Sequence, residues 1–144
     1  MGTAKTYPGR CFCGAVHFTV GGEPTLMAYC HCESCRQWSG APFTAFSLWN
    51  PEAIKVTQGA DKIATTNRTK LSDRNWCKSC GGHVFTGHPD WGVTEVSAAS
   101  IPDLPFKPAL HVHYQETVLH MHDGLPKMKD VPKEAGGTGV TLPE

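Results

Sequence analysis

From Cys11 to Val20 the residues alternate, with Phe12, Val16, Phe18 and Val20 on one side and Cys11, Cys13 and His17 on the other. A period of two sends neighbouring side chains to opposite faces, so the stretch predicts a half-buried strand carrying two cysteines. Gly21-Gly22 marks a turn, and a short strand is expected from Thr25 to Cys30. Residues 31–40 are polar, contain cysteines and stop at Gly40, which predicts a loop or one helical turn. Further strands are expected at 43–48, 54–57, 62–66, 83–86, 92–98, 110–114 and 118–122, all short and separated by Pro, Gly, Asn or Asp. No long window carries a 3.6-residue apolar period, and no internal repeat is present. The pattern predicts a mainly β fold of short antiparallel strands.

Ile101–Pro108 holds three prolines and reads as an extended surface crossing. Residues 127–144 are rich in Lys, Gly and Pro without apolar periodicity. They are expected to form a mobile tail after a domain covering residues 1–126.

Length adds a bound: 144 residues suit one domain with one core. Lys plus Arg and Asp plus Glu both total 13, so the formal net charge is zero. Neither nucleic acid nor an anionic membrane surface is favoured by such a balance, and a small, weakly charged ligand fits better. The first ten residues lack an apolar run, and no apolar stretch reaches membrane-spanning length. A cytoplasmic location is expected. There thiols stay reduced, so seven cysteines point to metal ligation or catalysis more than to disulfides.

The cysteines fall as Cys11-x-Cys13, Cys30-x-Cys32-x-x-Cys35 and Cys77-x-x-Cys80. Two residues apart on a strand share a face, and a tight turn relaxed by Gly81-Gly82 can aim the last pair at one ion. Cys11, Cys13, Cys77 and Cys80 thus make a four-thiolate zinc site, closed to substrate and structural in role. Cys30, Cys32 and Cys35 form one face of a tetrahedron, and no eighth cysteine closes it. An open fourth position is what a catalytic zinc needs. Two other arrangements stay open on spacing alone: Cys77 or Cys80 completing the central group, or a histidine such as His31, His83 or His88 closing it.

Three thiolates leave the first shell of a dication with net negative charge, which weakens it as a generator of hydroxide. Soft donors favour another soft donor, so the expected ligand at the fourth position is a thiol. A thioredoxin-like role for Cys77-x-x-Cys80 lacks its α/β surroundings. His31-Cys32-Glu33 with Cys77-x-x-Cys80 superficially imitates a nucleobase deaminase signature, but Trp76 stands where proline is expected.

Gly9-Arg10-Cys11-Phe12-Cys13-Gly14, Cys30-His31-Cys32-Glu33-Ser34-Cys35-Arg36 and Cys77-Lys78-Ser79-Cys80-Gly81 together resemble the glutathione-dependent formaldehyde-activating enzyme family, which includes centromere protein V. The resemblance spans residues 9 to 126. It implies a β-tent fold, two zinc ions per chain (one structural on the outer pairs, one catalytic on the triplet) and a carbon-sulfur lyase-type reaction. Its substrates would be a small thiol such as glutathione and formaldehyde or another small aldehyde. The sequence departs from the family at Glu116-Thr117-Val118-Leu119-His120, where a tryptophan is common.

Arg36 follows the triplet and is a candidate for a glutathione carboxylate, with a solvated surface arginine as the plain alternative. His31 is read as facing outward, or else as a second hydrogen-bonding layer behind a metal. His111, His113, His120 and His122 alternate in two expected strands and are read as solvent-facing pairs. The competing function is a non-catalytic zinc-binding module for protein contact.

Overall fold

The computed structural model describes residues 4–144. The expected domain boundary at residue 1 lies outside the described residues. The first strands are β1 (Thr6–Arg10), β2 (His17–Gly21) and β3 (Leu26–Cys30). Helix α1 (Glu33–Ser39) follows, then β4 (Thr44–Trp49), β5 (Ile54–Gln58) and β6 (Ile63–Thr66). Next come β7 (Asp73–Cys77), β8 (His83–His88) and β9 (Val93–Ser97). β10 (Leu110–Val112), β11 (Lys127–Met128) and β12 (Thr141–Leu142) complete the chain. The fold is mainly β, built of short strands, as the alternation predicts.

Two compact units form, each from two separated segments, so neither is a contiguous domain. The first comprises the chain up to Thr25 with Ser47–Phe106. Here β1, β2 and β5 make an antiparallel sheet, and β6 to β9 run as an antiparallel meander. Its core gathers Tyr7, Val16, Phe18, Val20, Trp49, Val84, Val96 and Ile101, together with Cys11 and Cys77. A Cβ on Gly9 would lie 2.4 Å from the Phe18 ring, so β1 closes over that ring only because residue 9 has no side chain.

The second unit comprises Leu26–Phe46 and Lys107–Glu144. Its strand order is β12-β11-β10-β3. β10 runs parallel to both β3 and β11, and β11 is antiparallel to β12. The expectation of antiparallel strands throughout therefore fails at β10, because the long connection between β3 and β10 leaves strand direction unconstrained.

Several expected elements differ. Residues 11–16 form a turn between β1 and β2, closed by Cys11 N–H to Val16 O (3.1 Å) and Gly14 N–H to Cys11 O (3.2 Å). The alternation of β2 had simply continued through a turn, and Phe12, expected inside, is 89% exposed. β1 contains Pro8 and Gly9, which read as breakers, but an edge strand tolerates proline. β7 (Asp-Arg-Asn-Trp-Cys) lacks the alternation that would have revealed it. No strand covers residues 118–122. The segment 127–144, expected as a mobile tail, carries β11 and β12 and buries Lys127 and Met128.

Candidate metal centres

In the first unit the β1–β2 turn and the turn between β7 and β8 present their cysteines alike. Gly14 (φ 80) and Gly81 (φ 73) adopt the left-handed conformation that lets each turn double back. Gly81 N–H closes the second turn on Cys77 O at 2.7 Å. Backbone N–H groups then point at the sulfurs: Val16 to Cys11 Sγ (3.3 Å), Ala15 to Cys13 Sγ (3.4 Å) and Gly82 to Cys80 Sγ (3.3 Å).

The Sγ atoms of Cys11 and Cys13 are 3.8 Å apart and those of Cys13 and Cys77 are 3.9 Å apart. All four sulfurs lie within 4.8 Å of one another. Sulfurs about 2.3 Å from a central ion stand about 3.8 Å apart along the edges of a tetrahedron. A disulfide needs about 2.05 Å. The four cysteines therefore fit one tetrahedral metal ion. Crowding splits their acidities: Cys11 and Cys80 are lowered because hydrogen bonds to their sulfurs outweigh desolvation by burial. Cys13 is pushed up to about 11, because desolvation and the neighbouring Cys80, Cys11 and Cys77 sulfurs outweigh the Ala15 N–H, its largest single influence.

In the second unit the triplet straddles the end of β3 and the start of α1. Cys32 is the helix N-cap, in extended conformation (φ −63, ψ 149), and its Sγ accepts from Cys35 N–H at 3.3 Å. Gly40 (φ 68) ends the helix with its N–H on Arg36 O. One turn thus fixes Cys32 and Cys35, while β3 delivers Cys30. The three sulfurs also lie within 4.8 Å of one another, so this group can hold a metal as well. Hydrogen bonds from the Cys30 and Cys35 thiols lower Cys32 to about 3, while Cys30 is pushed well above the ordinary thiol value by its own hydrogen bonds with Cys32 and Cys35 and by burial.

His31, between two of these cysteines, is completely buried rather than outward-facing. Its Nδ1 meets Thr117 Oγ1 at 2.9 Å and its Nε2 meets His111 Nδ1 at 2.8 Å. His111, also fully buried, places Nε2 2.8 Å from Asp123 Oδ2. The Lys127 ammonium bonds Asp123 Oδ1 and, at 2.6 Å, Glu144 Oε1. Tyr114 stands edge-on to both imidazoles, with ring centroids 4.8 and 5.5 Å away. Phe43 lies 5.6 Å from the His31 ring. Burial lowers His31 to about 4, with the charges of His111 and Arg36 acting in the same sense.

The structure thus gathers Cys11, Cys13, Cys77 and Cys80 within one unit and Cys30, Cys32 and Cys35 within the other. No histidine joins either group among the described residues. Arg36 donates Nε–H to His31 O at 2.9 Å, and neither Nη group has an acceptor among the described residues. Reading the sequence missed Glu116, whose Oε1 accepts from Glu33 N–H at the start of α1 (3.2 Å), and the row Thr117, His111, Asp123 and Lys127. Only the departure from the family pattern at 116–120 could have drawn attention to the first two. His111 had been read as solvent-facing, and it is the reverse.

The sequence profile of the family described as glutathione-dependent formaldehyde-activating enzyme matches residues 6–116. An uncharacterised lyase of Schizosaccharomyces pombe is 35% identical over 79 residues, covering 55% of this chain and 56% of that protein. A Halomonas elongata protein named for glutathione-dependent formaldehyde activation is 29% identical over 113 residues, covering 73% of this chain and 71% of that protein. A Pyrenophora teres protein with the same name is 31% identical, with 54% of its length matched. The chain spans about half the length of the first and third of these relatives. A solved Rhodobacter sphaeroides protein shares the fold, with TM-score 0.57 and 19% identity over 68% of this chain and 90% of that one. Among the described residues no helix is long and apolar enough to cross a membrane.

Proposed function

Because the chain belongs to the glutathione-dependent formaldehyde-activating enzyme family, we propose that it holds two zinc ions and joins a small thiol, glutathione or a close analogue, to formaldehyde or another small aldehyde in the cytoplasm. The observation that carries this reading is the unequal pair of clusters: four sulfurs in one, three in the other, each set within 4.8 Å. Four thiolates complete a tetrahedron and suit a structural ion, whereas three leave one position for a substrate. Zinc bound at the triplet supplies the positive charge that favours the thiolate form of an incoming thiol near neutral pH.

The chain's own groups do the rest. Cys30, Cys32 and Cys35 define the face on which the thiol docks. Arg36, anchored through Nε, has two Nη groups to pair with a substrate carboxylate, which fits a peptide-like thiol such as glutathione. Proximity supplies much of the acceleration, since formaldehyde is reactive without further polarisation. In the reaction the sulfur bonds to the aldehyde carbon, the carbonyl electron pair moves to oxygen, and the proton lost by sulfur ends there. The S-hydroxymethyl product contains every atom of both reactants, and the reverse step is a carbon-sulfur lyase reaction.

The test is the exchange rate between glutathione and isotopically labelled formaldehyde, followed by NMR with the zinc-loaded protein. A rate above the spontaneous one, lost in Cys32→Ser, is the expected result. A rate equal to the spontaneous one, with no binding of small thiols, would move the chain to the non-catalytic zinc module.

A further inference from the structure

Resting on the reading of the triplet as a metal centre, we propose that His111 and Asp123 are positioning residues for it. They lock the His31 ring, and through His31 the backbone that carries the Cys30 and Cys32 sulfurs. His31 is the single residue between those two cysteines, so its backbone torsions set the separation of their sulfurs. That backbone is held on both sides: His31 N–H donates to Val112 O at 3.1 Å, and His31 O accepts from Arg36. β10 pairs Val112 with Cys30 and His111 with Tyr29, which brings His111 beside the His31 ring.

The direction of the row follows from its charged end. An ionised carboxylate can only accept, so His111 gives its ring N–H, on Nε2, to Asp123. His111 Nδ1 is then bare and accepts from His31 Nε2–H, and His31 Nδ1 accepts in turn from the Thr117 hydroxyl. Asp123 is kept ionised because hydrogen bonds from Lys127 and His111 outweigh its burial. The charge on Asp123 thus fixes which way His111 donates, and His111 fixes a single tautomer of His31.

Stability alone does not account for such a row. Buried ionic chains add little net stability compared with apolar residues of the same shape. Hydrogen-bonded groups behind metal ligands, in contrast, characteristically set ligand orientation and metal affinity.

The full-length chain loaded with cobalt(II) tests this by chelator competition, with the four-cysteine site as an internal reference. Asp123→Asn and Thr117→Val should each weaken the triplet about 10-fold while leaving the reference site unchanged. Thr117→Ser, which keeps the hydroxyl, should restore wild-type affinity. In metal-free protein, 15N shifts should show His31 as one Nε2–H tautomer in the wild type and as a mixture in Asp123→Asn. Unchanged triplet affinity in both variants, or an equal loss at both sites, would overturn the proposal. Failure of the wild-type triplet to take up cobalt would overturn this proposal and the metal reading together. Absence of thiol–aldehyde turnover in a protein that passes these tests would count against the proposed function only.

Discussion

The two cysteine clusters solve the same problem with different supports. The first draws its sulfurs from two turns whose N–H groups point at them, and two of its members, Cys11 and Cys77, are part of the apolar core. The second draws its sulfurs from a strand end and a helix N-cap, and its backing is a buried polar row ending in an ion cluster. A site built into the core shares its fate, because losing the ligand opens a hole lined with other core residues. A site backed by hydrogen bonds can be detuned without emptying a core. The contrast is what the proposed division rests on, with folding given to the first cluster and chemistry to the second.

The largest effect expected is from Cys77→Ser. It removes a core thiolate from the proposed structural site, where a bound zinc would contribute on the order of 10 kcal/mol. The variant should lose cooperative thermal unfolding and one equivalent of bound metal. A folded variant that retains both metals would break the contrast. Cys32→Ser should cost about 1–3 kcal/mol, keep its sheet signature by circular dichroism, and lose the second metal together with exchange activity.

Arg36→Ala should raise the KM for glutathione at least about 10-fold, since a charge-assisted bond is worth about 1.5–3 kcal/mol, with kcat little changed. A thiol lacking carboxylates should show no such difference, which would separate substrate binding from the anchoring role of Nε on His31 O. Gly14→Ala forces a side chain onto a backbone at φ 80, so it should destabilise the first unit by about 1–2 kcal/mol, read as a lowered denaturation midpoint.

The smallest effect is on acid stability. Glu144 is held below the ordinary carboxylate value by its hydrogen bond from Lys127, and Asp123 is lowered by Lys127 and His111 against the cost of burial. Carboxylates with depressed folded values add stability that is present above about pH 4 and fades as pH falls further. Asp123→Asn should therefore flatten the loss of stability on acidification below that point, as followed by urea titration across pH.

Much of the first cluster was legible because its determinants are local. Cysteine spacing and the adjoining glycines specify two turns, and the four-plus-three division follows from counting. The support for Cys11 and Cys13 was misread as a strand because alternation in β2 ran on through the turn, with Phe12 on the wrong side of the pattern. The backing of the second cluster was not legible. His31 and His111 are 80 positions apart and meet only through the parallel pairing of β3 and β10. Lys127 sits in a segment whose composition reads as solvated, yet two carboxylates make its burial tolerable. Long-range pairing and compensated burial leave little trace in a local pattern.

The division of roles is tested most directly by 113Cd NMR of protein loaded with two equivalents of cadmium, with and without added glutathione. The account predicts two resonances in the thiolate range, one unmoved by the thiol and the other shifted toward the four-sulfur position, the shifting one being lost in Cys32→Ser. A single resonance, or two that both ignore the thiol, would contradict it.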